Sequence, residues 1–327
     1  MPVMMSVDEI RDLQRKVLDL KKKKDAYIIA HNYQLPEIQD VADYVGDSLG
    51  MAMEARKTDH PLVVVCGVHF MAETAAILLP DRKVITPERY AGCSLAESIT
   101  PEQLKEWKAQ HPDAVVVSYV NTTAEVKALS DYTVTSSNAV DIIRSIPEDR
   151  EILFLPDMFL GMYVKEVTGR KNMHIWPGEC HVHARVTPQD ISRAAVEHPG
   201  ATMLVHPECG CSTNCLYLKA KGELDVDIKV FSTGGMVRYV KEHPEREYVV
   251  ATEVGILYRL SKEIGDGSDR LKPLREDMVC EYMKMITVDK LVRSLEEEIY
   301  EVKVPPHIAE RARVPIERML QLSSKGK

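Results

Sequence analysis

The sequence has no apolar run long enough to cross a bilayer. Its longest, such as residues 62–68, have the length of strands, whereas a spanning helix takes about 20 apolar residues. The opening residues lack the charged-then-apolar pattern of a secretion signal, so a cytoplasmic protein is expected. Positive charge is not in excess either: the formal net charge is −8, with both signs mixed along the chain. Without a basic face, neither nucleic acid nor an anionic membrane is an expected partner. Aromatic residues make up only 6% of the chain, and 13 of them are tyrosines, which leaves aliphatic side chains to fill the core. Seven cysteines without a secretion signal read as thiols or metal ligands, since the cytosol keeps most disulfides reduced.

What the sequence does have is periodicity. Ser6 followed by Glu9 is a capping-box pair, and Ile10, Leu13, Val17 and Leu20 recur at helical spacing up to Lys24. Leu291, Leu295, Ile299 and Val302 carry the same signal, Pro305-Pro306 breaks it, and a last helix is expected over about 308–322. Between these ends, runs rich in Val, Ile and Leu alternate with helical stretches: 27–30, 62–68, 83–85, 114–120, 152–155, 174–176, 203–206, 229–231 and 248–252. That is the pattern of parallel strands covered by helices, and 327 residues suffice for two or three domains.

The strand ends repeat. His31-Asn32-Tyr33, Tyr119-Val120-Asn121 and His206-Pro207-Glu208 close corresponding runs, the first interval being 88 residues and the second 87. Downstream of each lies a segment led by aspartate and ended by a hydroxyl residue: Asp43 to Ser48, Asp131 to Ser136, and Asp227 to Ser232-Thr233. Each is expected to run straight into a helix. A further strand and turn follow, then a cysteine: Cys93, Cys180 and Cys280, at 45, 44 and 48 residues past the hydroxyl. The expected fold class is α/β: three pseudo-symmetric three-layer α/β/α units with short parallel sheets around a central site, plus N- and C-terminal helices. Their bounds are 25–100, joined by terminal helices 5–24 and 286–325, then 101–190 and 191–285. The third copy is about nine residues longer between His206 and Ser232, in a stretch holding Cys209, Cys211 and Cys215.

In open parallel sheets ligands bind beyond the carboxyl ends of the strands, so the three repeated tripeptides mark a candidate site. Three cysteines, one per unit, have no local zinc-finger spacing; the threefold register picks them out. A [4Fe–4S] cluster normally takes four thiolates. Three would leave one iron open, a Lewis acid that polarises a substrate hydroxyl or carbonyl. A free cysteine is otherwise a small buried hydrophobe, which suits Cys66. The tight spacing of Cys209, Cys211 and Cys215 permits a second metal or a redox thiol pair.

Nine motifs together resemble the quinolinate synthase family over nearly the full length. They are His31-Asn32-Tyr33, Gly46-Asp47-Ser48, Gly92-Cys93-Ser94-Leu95-Ala96, Tyr119-Val120-Asn121, Thr135-Ser136-Ser137-Asn138, Pro177-Gly178-Glu179-Cys180-His181-Val182-His183, His206-Pro207-Glu208-Cys209, Ser232-Thr233-Gly234 and Met278-Val279-Cys280. The resemblance implies condensation of iminoaspartate (iminosuccinate) with dihydroxyacetone phosphate to quinolinate, with loss of phosphate and water, in de novo NAD biosynthesis. It implies a transferase-type condensing enzyme with an oxygen-sensitive [4Fe–4S] cluster on Cys93, Cys180 and Cys280. L-Aspartate oxidase or aspartate dehydrogenase is then the implied supplier of iminoaspartate.

A dicarboxylic imine needs donors or cations at both carboxylates, and His31, Ser48, Tyr119, Asn121 and His206 offer them; Val120 and Pro207 complete the same substrate-binding motifs. Phosphate favours helix N-termini with small hydroxyl residues, which Ser136-Ser137-Asn138 and Ser232-Thr233-Gly234 provide. Ring closure and dehydration move protons, and Glu208, Tyr33, Tyr119 and His183 are the candidate acids and bases, Tyr33 and His183 through the resemblance. Plainer roles compete: a strand-end histidine is often a hydrogen-bonded core residue, and a serine before a helix is often its N-cap. Two other functions fit in part. A hydro-lyase acting on another hydroxy acid needs no phosphate-suited helix ends, and an iron–sulfur redox sensor leaves the strand-end His, Tyr, Asn and Glu residues unexplained.

Overall fold

The computed structural model describes residues 5–213, 215 and 226–324. Among them, twelve strands form three parallel four-stranded sheets. The first holds β1 Ala26–His31, β2 Tyr44–Gly46, β3 Leu62–Cys66 and β4 Lys83–Ile85. The second holds β5 Val115–Tyr119, β6 Tyr132–Val134, β7 Ile152–Leu155 and β8 Met173–Ile175. The third holds β9 Thr202–Val205, β10 Ile228–Val230, β11 Tyr248–Ala251 and β12 Leu271–Pro273. One spatial order recurs: β2-β1-β3-β4, β6-β5-β7-β8 and β10-β9-β11-β12. Helices flank every sheet, so the fold is the expected α/β with three α/β/α units. No helix among the described residues is long and apolar enough to cross a membrane.

The central strands form because their side chains have nowhere wet to go. β3, β5, β7, β9 and β11 are buried at every position, which is why they read as mostly apolar runs with no polar–apolar alternation. Each order places a switch point at the first strand of its sheet, because the chain leaves that strand toward one edge and returns on its other side. His31, Tyr119 and the residue after β9, His206, therefore stand where such sheets bind ligands.

The leading aspartates explain the repeated segments. Asp43 Oδ2 accepts from Ile28 N–H at 2.8 Å, and Asp131 Oδ2 accepts from Val116 N–H at 2.8 Å. Asp227 Oδ2 accepts from the Thr202 hydroxyl at 3.1 Å. Each ties the start of an edge strand to the central strand beside it. These edge strands, β2 and β6, and β12 beyond them, were not expected as strands from the sequence. They are three residues long and half-exposed in part, and Gly46, Thr133 and Lys272-Pro273 interrupt their apolar residues.

The helix after Ser136 also departs from expectation. It begins at Ala139, because Asn138 Oδ1 turns back to accept from Thr135 N–H at 2.7 Å. The apolar positions Ile299 and Val302 continue a helical spacing but lie outside the helix, which spans Val288–Glu297. Glu298 takes a left-handed conformation, and its carboxylate is held by Lys24 at 2.8 Å and Lys83 at 2.9 Å. Those two ammonium groups bring its pKa down to about 2. The chain then pairs with β4, Val302 N–H donating to Val84 O at 2.8 Å.

By packing, the chain forms two compact units: Met1–Cys93 with Glu281–Pro306, and Ser94–Cys280 with His307–Lys327. In the first, Val17 of the opening helix Val7–Lys24 joins Leu291 and Leu295 over β1 and β3 in one core. The second contains two sheets. The last helix, Pro306–Ser324, groups largely with it and not with the first: Arg318 donates to Asp131 O at 2.7 Å and Asn138 to Ser323 Oγ at 2.7 Å.

Asp131→Ala leaves the Val116 N–H without its acceptor at the mouth of a buried strand. We expect a loss of about 1–3 kcal/mol, seen as a lower urea midpoint, with Asp131→Asn losing less. An unchanged midpoint in Asp131→Ala would contradict the tether.

Candidate active site

Two of the three strand ends share one local device. After β1, Tyr33 N–H donates to His31 Nδ1 at 3.2 Å; after β9, Glu208 N–H donates to His206 Nδ1 at 3.4 Å. A backbone donor on Nδ1 leaves Nε2 to carry the ring proton. Each histidine, buried in its own unit, thus presents an N–H. In the second unit His206 Nε2 lies 3.3 Å from Ser136 Oγ.

Glu208 is the centre of the second unit's polar cluster. Tyr119, at the end of β5, donates its hydroxyl to Glu208 Oε1. His183 Nδ1 lies 3.1 Å from Glu208 Oε2 and 3.2 Å from Cys180 Sγ, while its Nε2 is 2.8 Å from the Thr252 hydroxyl. His183 and His206 stack with centroids 5.0 Å apart. All four side chains, Tyr119, His183, His206 and Glu208, are buried. Burial alone would raise the carboxyl pKa of Glu208, but the His206 and His183 rings and the Tyr119 hydroxyl bring it below the usual carboxylate range. Burial works against charge on His183 as well, yet the Cys180 sulfur and Glu208 carboxylate on its Nδ1 side raise its pKa well above the usual histidine range. Both shifts favour a charged pair, carboxylate beside imidazole.

The hydroxyl segments of the second and third sheets meet beside this cluster. Ser137 donates to Ser232 Oγ at 2.7 Å, and Ser232 caps the helix Thr233–Glu242 by accepting from Gly235 N–H at 3.2 Å. Thr233 is buried at the first position of that helix. Asn121 Oδ1 is buried without a hydrogen-bond partner. Val120 is held by its N–H to Val134 O at 2.8 Å, and Pro207 O accepts from Ser212 Oγ at 3.2 Å. In the first unit, His31 and Tyr33 pack edge to face at 4.5 Å, and Lys284 donates to Tyr33 O. Ser48 opens the helix Ser48–Ala55, whose cap is Asp47.

The seven cysteines fall into two classes. Cys93, Cys180 and Cys280 are half-buried, whereas Cys66, Cys209, Cys211 and Cys215 are sealed in the core. Cys180 and Cys280 border the same apolar cluster of the second unit, and Glu253 Oε1 accepts from Cys280 N–H at 3.2 Å. Cys209 donates its thiol to Ala251 O at 3.1 Å. Hydrogen bonding to Cys209 raises the Cys211 thiol pKa, and hydrogen bonding to Cys211 raises that of Cys215, which disfavours the thiolate at both. Among the described residues, two groups of three potential ligand atoms lie within 4.8 Å of one another: Cys180, His183 and Glu208, and His111, Glu151 and His174. Neither includes Cys209, Cys211 or Cys215. Residues 214 and 216–225, in the longer stretch of the third copy, lie outside the described residues.

Asp157 is a site residue that sequence reasoning passed over as part of a turn. It is fully buried; Oδ1 accepts from Leu160 N–H at 2.6 Å, and Oδ2 has no hydrogen-bond partner. Burial, reinforced by the negative Glu208, raises its pKa well above the carboxylate range. It also caps the helix Met158–Thr168, a role the turn reading did not include. Glu253, also buried, corresponds to it after β11 and instead binds backbone, accepting from Gly255 N–H at 2.7 Å as well as Cys280. Gly178 lets the Cys180 loop pass close to this corner, since a Cβ there would lie 2.5 Å from Pro156 O.

A parallel α/β protein with a carboxylate and a phenol at its strand ends, joined by an imidazole and beside a half-buried thiol, has the groups for acid–base chemistry on a bound small molecule. Comparison with known proteins narrows the class. A family model described as Quinolinate synthetase A protein matches residues 15–321. The chain is 54% identical over 308 residues to quinolinate synthase of Thermus thermophilus, covering 94% of this chain and 96% of that one. It is 53% identical over 311 residues to quinolinate synthase of Pyrobaculum aerophilum (95% and 100%), and 51% over 304 residues to that of Mycobacterium tuberculosis (93% and 86%). The chain belongs to the quinolinate synthetase A family.

Asp157→Asn keeps the cap acceptor and the volume but cannot ionise. A carboxyl whose pKa is raised on folding loses stability as pH climbs above its unfolded value of about 3.9. The variant should therefore match wild type near about pH 4 and exceed it in urea midpoint near about pH 7. A lower midpoint for the variant at the higher pH would contradict the assignment of Asp157 as a neutral acid.

Proposed function

We propose that the chain is a quinolinate-forming enzyme of NAD biosynthesis, condensing iminoaspartate with dihydroxyacetone phosphate and releasing phosphate and water. It works in the cytoplasm, where its thiols stay reduced. The observation that carries this reading is the buried set of Tyr119 and Glu208, at the carboxyl ends of β5 and β9, with His183 of the Cys180 loop. The printed names of the relatives support it.

Cys93, Cys180 and Cys280 would hold a [4Fe–4S] cluster. The donor set fits, because these are the half-buried cysteines and the other four are sealed in the core. When bound, such a cluster supplies a Lewis-acidic iron to polarise the hydroxyl that leaves as water.

The chain's own residues supply binding and proton transfer. Glu208, ionised, accepts a proton from substrate carbon, and Tyr119 relays one at the Oε1 it already touches. His183 balances the charge of Glu208, and Thr252 fixes its ring. His206 offers Nε2–H to a substrate carboxylate, and the Asn121 oxygen accepts from the imine nitrogen. Ser136, Ser137, Ser232 and Thr233 form a hydroxyl-rich wall by a helix N-terminus, suited to phosphate. His31 and Ser48 as substrate-binding residues, Tyr33 as a proton carrier, and the backbone of Val120 and Pro207 are assigned through the family motifs.

Anaerobically purified protein given both substrates should form quinolinate and release one phosphate per turnover; dehydration of a simple hydroxy acid without phosphate release would favour a hydro-lyase instead. Cys93→Ser, Cys180→Ser and Cys280→Ser should each lose the broad visible absorption of the cluster, and Cys211→Ser should keep it. Loss in Cys211→Ser would reassign the ligands. Glu208→Gln should keep the cluster and lose about 10²–10⁴-fold in turnover; an active variant removes Glu208 from proton transfer.

A further inference from the structure

Away from the strand carboxyl ends, the second unit gathers another set of donor atoms. His111 follows the helix Pro101–Gln110, Glu151 immediately precedes β7, and His174 lies in the edge strand β8. His111 Nδ1 is 3.0 Å, and His174 Nε2 2.7 Å, from one and the same oxygen, Glu151 Oε1. All three potential ligand atoms lie within 4.8 Å of one another, and the two imidazoles overlap with centroids 4.6 Å apart.

The backbone holds these residues in place. Val115 N–H donates to Glu151 O at 2.8 Å, and Ala114 N–H to His111 O at 3.1 Å. The Asn172 side-chain amide donates to Glu148 O at 3.0 Å and Arg150 O at 2.7 Å, closing the loop before Glu151 onto the loop before His174. β7 and β8 then pair in register, Leu153 opposite His174. The three side chains come from separate elements, yet each stands on a hydrogen-bonded frame.

Two imidazole nitrogens and one carboxylate oxygen are a donor set for borderline divalent ions. A tetrahedral ion with bonds of about 2.0–2.1 Å spaces its ligand atoms about 3.3 Å apart, so the observed 2.7 and 3.0 Å edges need open by only a few tenths of an ångström. The side chains keep 23%, 36% and 45% of their exposure for His111, Glu151 and His174, which admits an ion from solvent and leaves room for a water ligand. We propose that His111, Glu151 and His174 form a binding site for a divalent transition metal of the zinc type, separate from the strand-end cluster, which fastens the end of the helix Pro101–Gln110 to β7 and β8. The ion replaces two hydrogen bonds that converge on a single oxygen with bonds from the same three atoms.

The test is titration of the anaerobically prepared full chain with Zn²⁺ alone by calorimetry, comparing wild type with His111→Asn, His174→Asn and, as a control outside the site, Cys180→Ser. Wild type and Cys180→Ser should take up one equivalent that both histidine variants lack, and Zn²⁺ should raise the melting temperature of wild type but not of the histidine variants. Equal uptake by wild type and both histidine variants would overturn the proposal, as would loss of the equivalent in Cys180→Ser alone. Co²⁺ gives a readout on wild type by itself: binding here produces tetrahedral or five-coordinate ligand-field bands without the sulfur-to-cobalt charge transfer of a thiolate site. Charge-transfer bands from the first equivalent would place the ion on cysteine and sink the proposal.

Discussion

A negative charge buried in the second unit sets the terms for everything around it. The Glu208 carboxylate is nearly cut off from water, and an unpaired charge there would cost several kcal/mol. It is retained because Tyr119 and His183 occupy both its oxygens, and His183 is in turn braced by Cys180 and Thr252. Those partners come from the end of β5, the loop carrying Cys180, and the end of β11. One carboxylate thereby registers two sheets and a loop. Burial, reinforced by the same charge, raises the pKa of Asp157, so two buried acids near each other shift in opposite directions.

The fold is threefold, but the chemistry is not. Each sheet has the same strand order, and each leading aspartate ties down a central strand. The residues at the three strand ends differ in kind. Histidine opens the first and third tripeptides and presents Nε2–H through the same backbone bond to Nδ1; tyrosine takes that place in the second, where its hydroxyl reaches Glu208. Repetition supplies the frame, and substitution at matched positions supplies side chains of distinct chemistry.

Much of this was legible beforehand, for physical reasons that also mark its limits. Central strands declare themselves because full burial demands apolar side chains at every position. The short edge strands β2, β6 and β12 do not, since Gly46, Thr133 and Lys272-Pro273 break up their few apolar residues. Ile299 and Val302 kept the helical spacing while Glu298, clamped by Lys24 and Lys83, turned the chain aside. Tyr119, His183, His206, Glu208, Ser136 and Ser232 were singled out by repeat or motif, and the second unit brings them together. Asp157 was missed because its unusual protonation comes from burial and a neighbour distant in sequence. His111, Glu151 and His174 share no spacing at all and meet only because β7 and β8 pair in register.

The proposed action of Tyr119 and Glu208 as one unit is tested most directly by a double-mutant cycle on quinolinate formation. With cluster content matched across the four proteins, Tyr119→Phe combined with Glu208→Gln should be no slower than Glu208→Gln alone, because the phenol acts through the carboxylate it touches. Losses that multiply would mean that the two residues act independently, and would contradict the account.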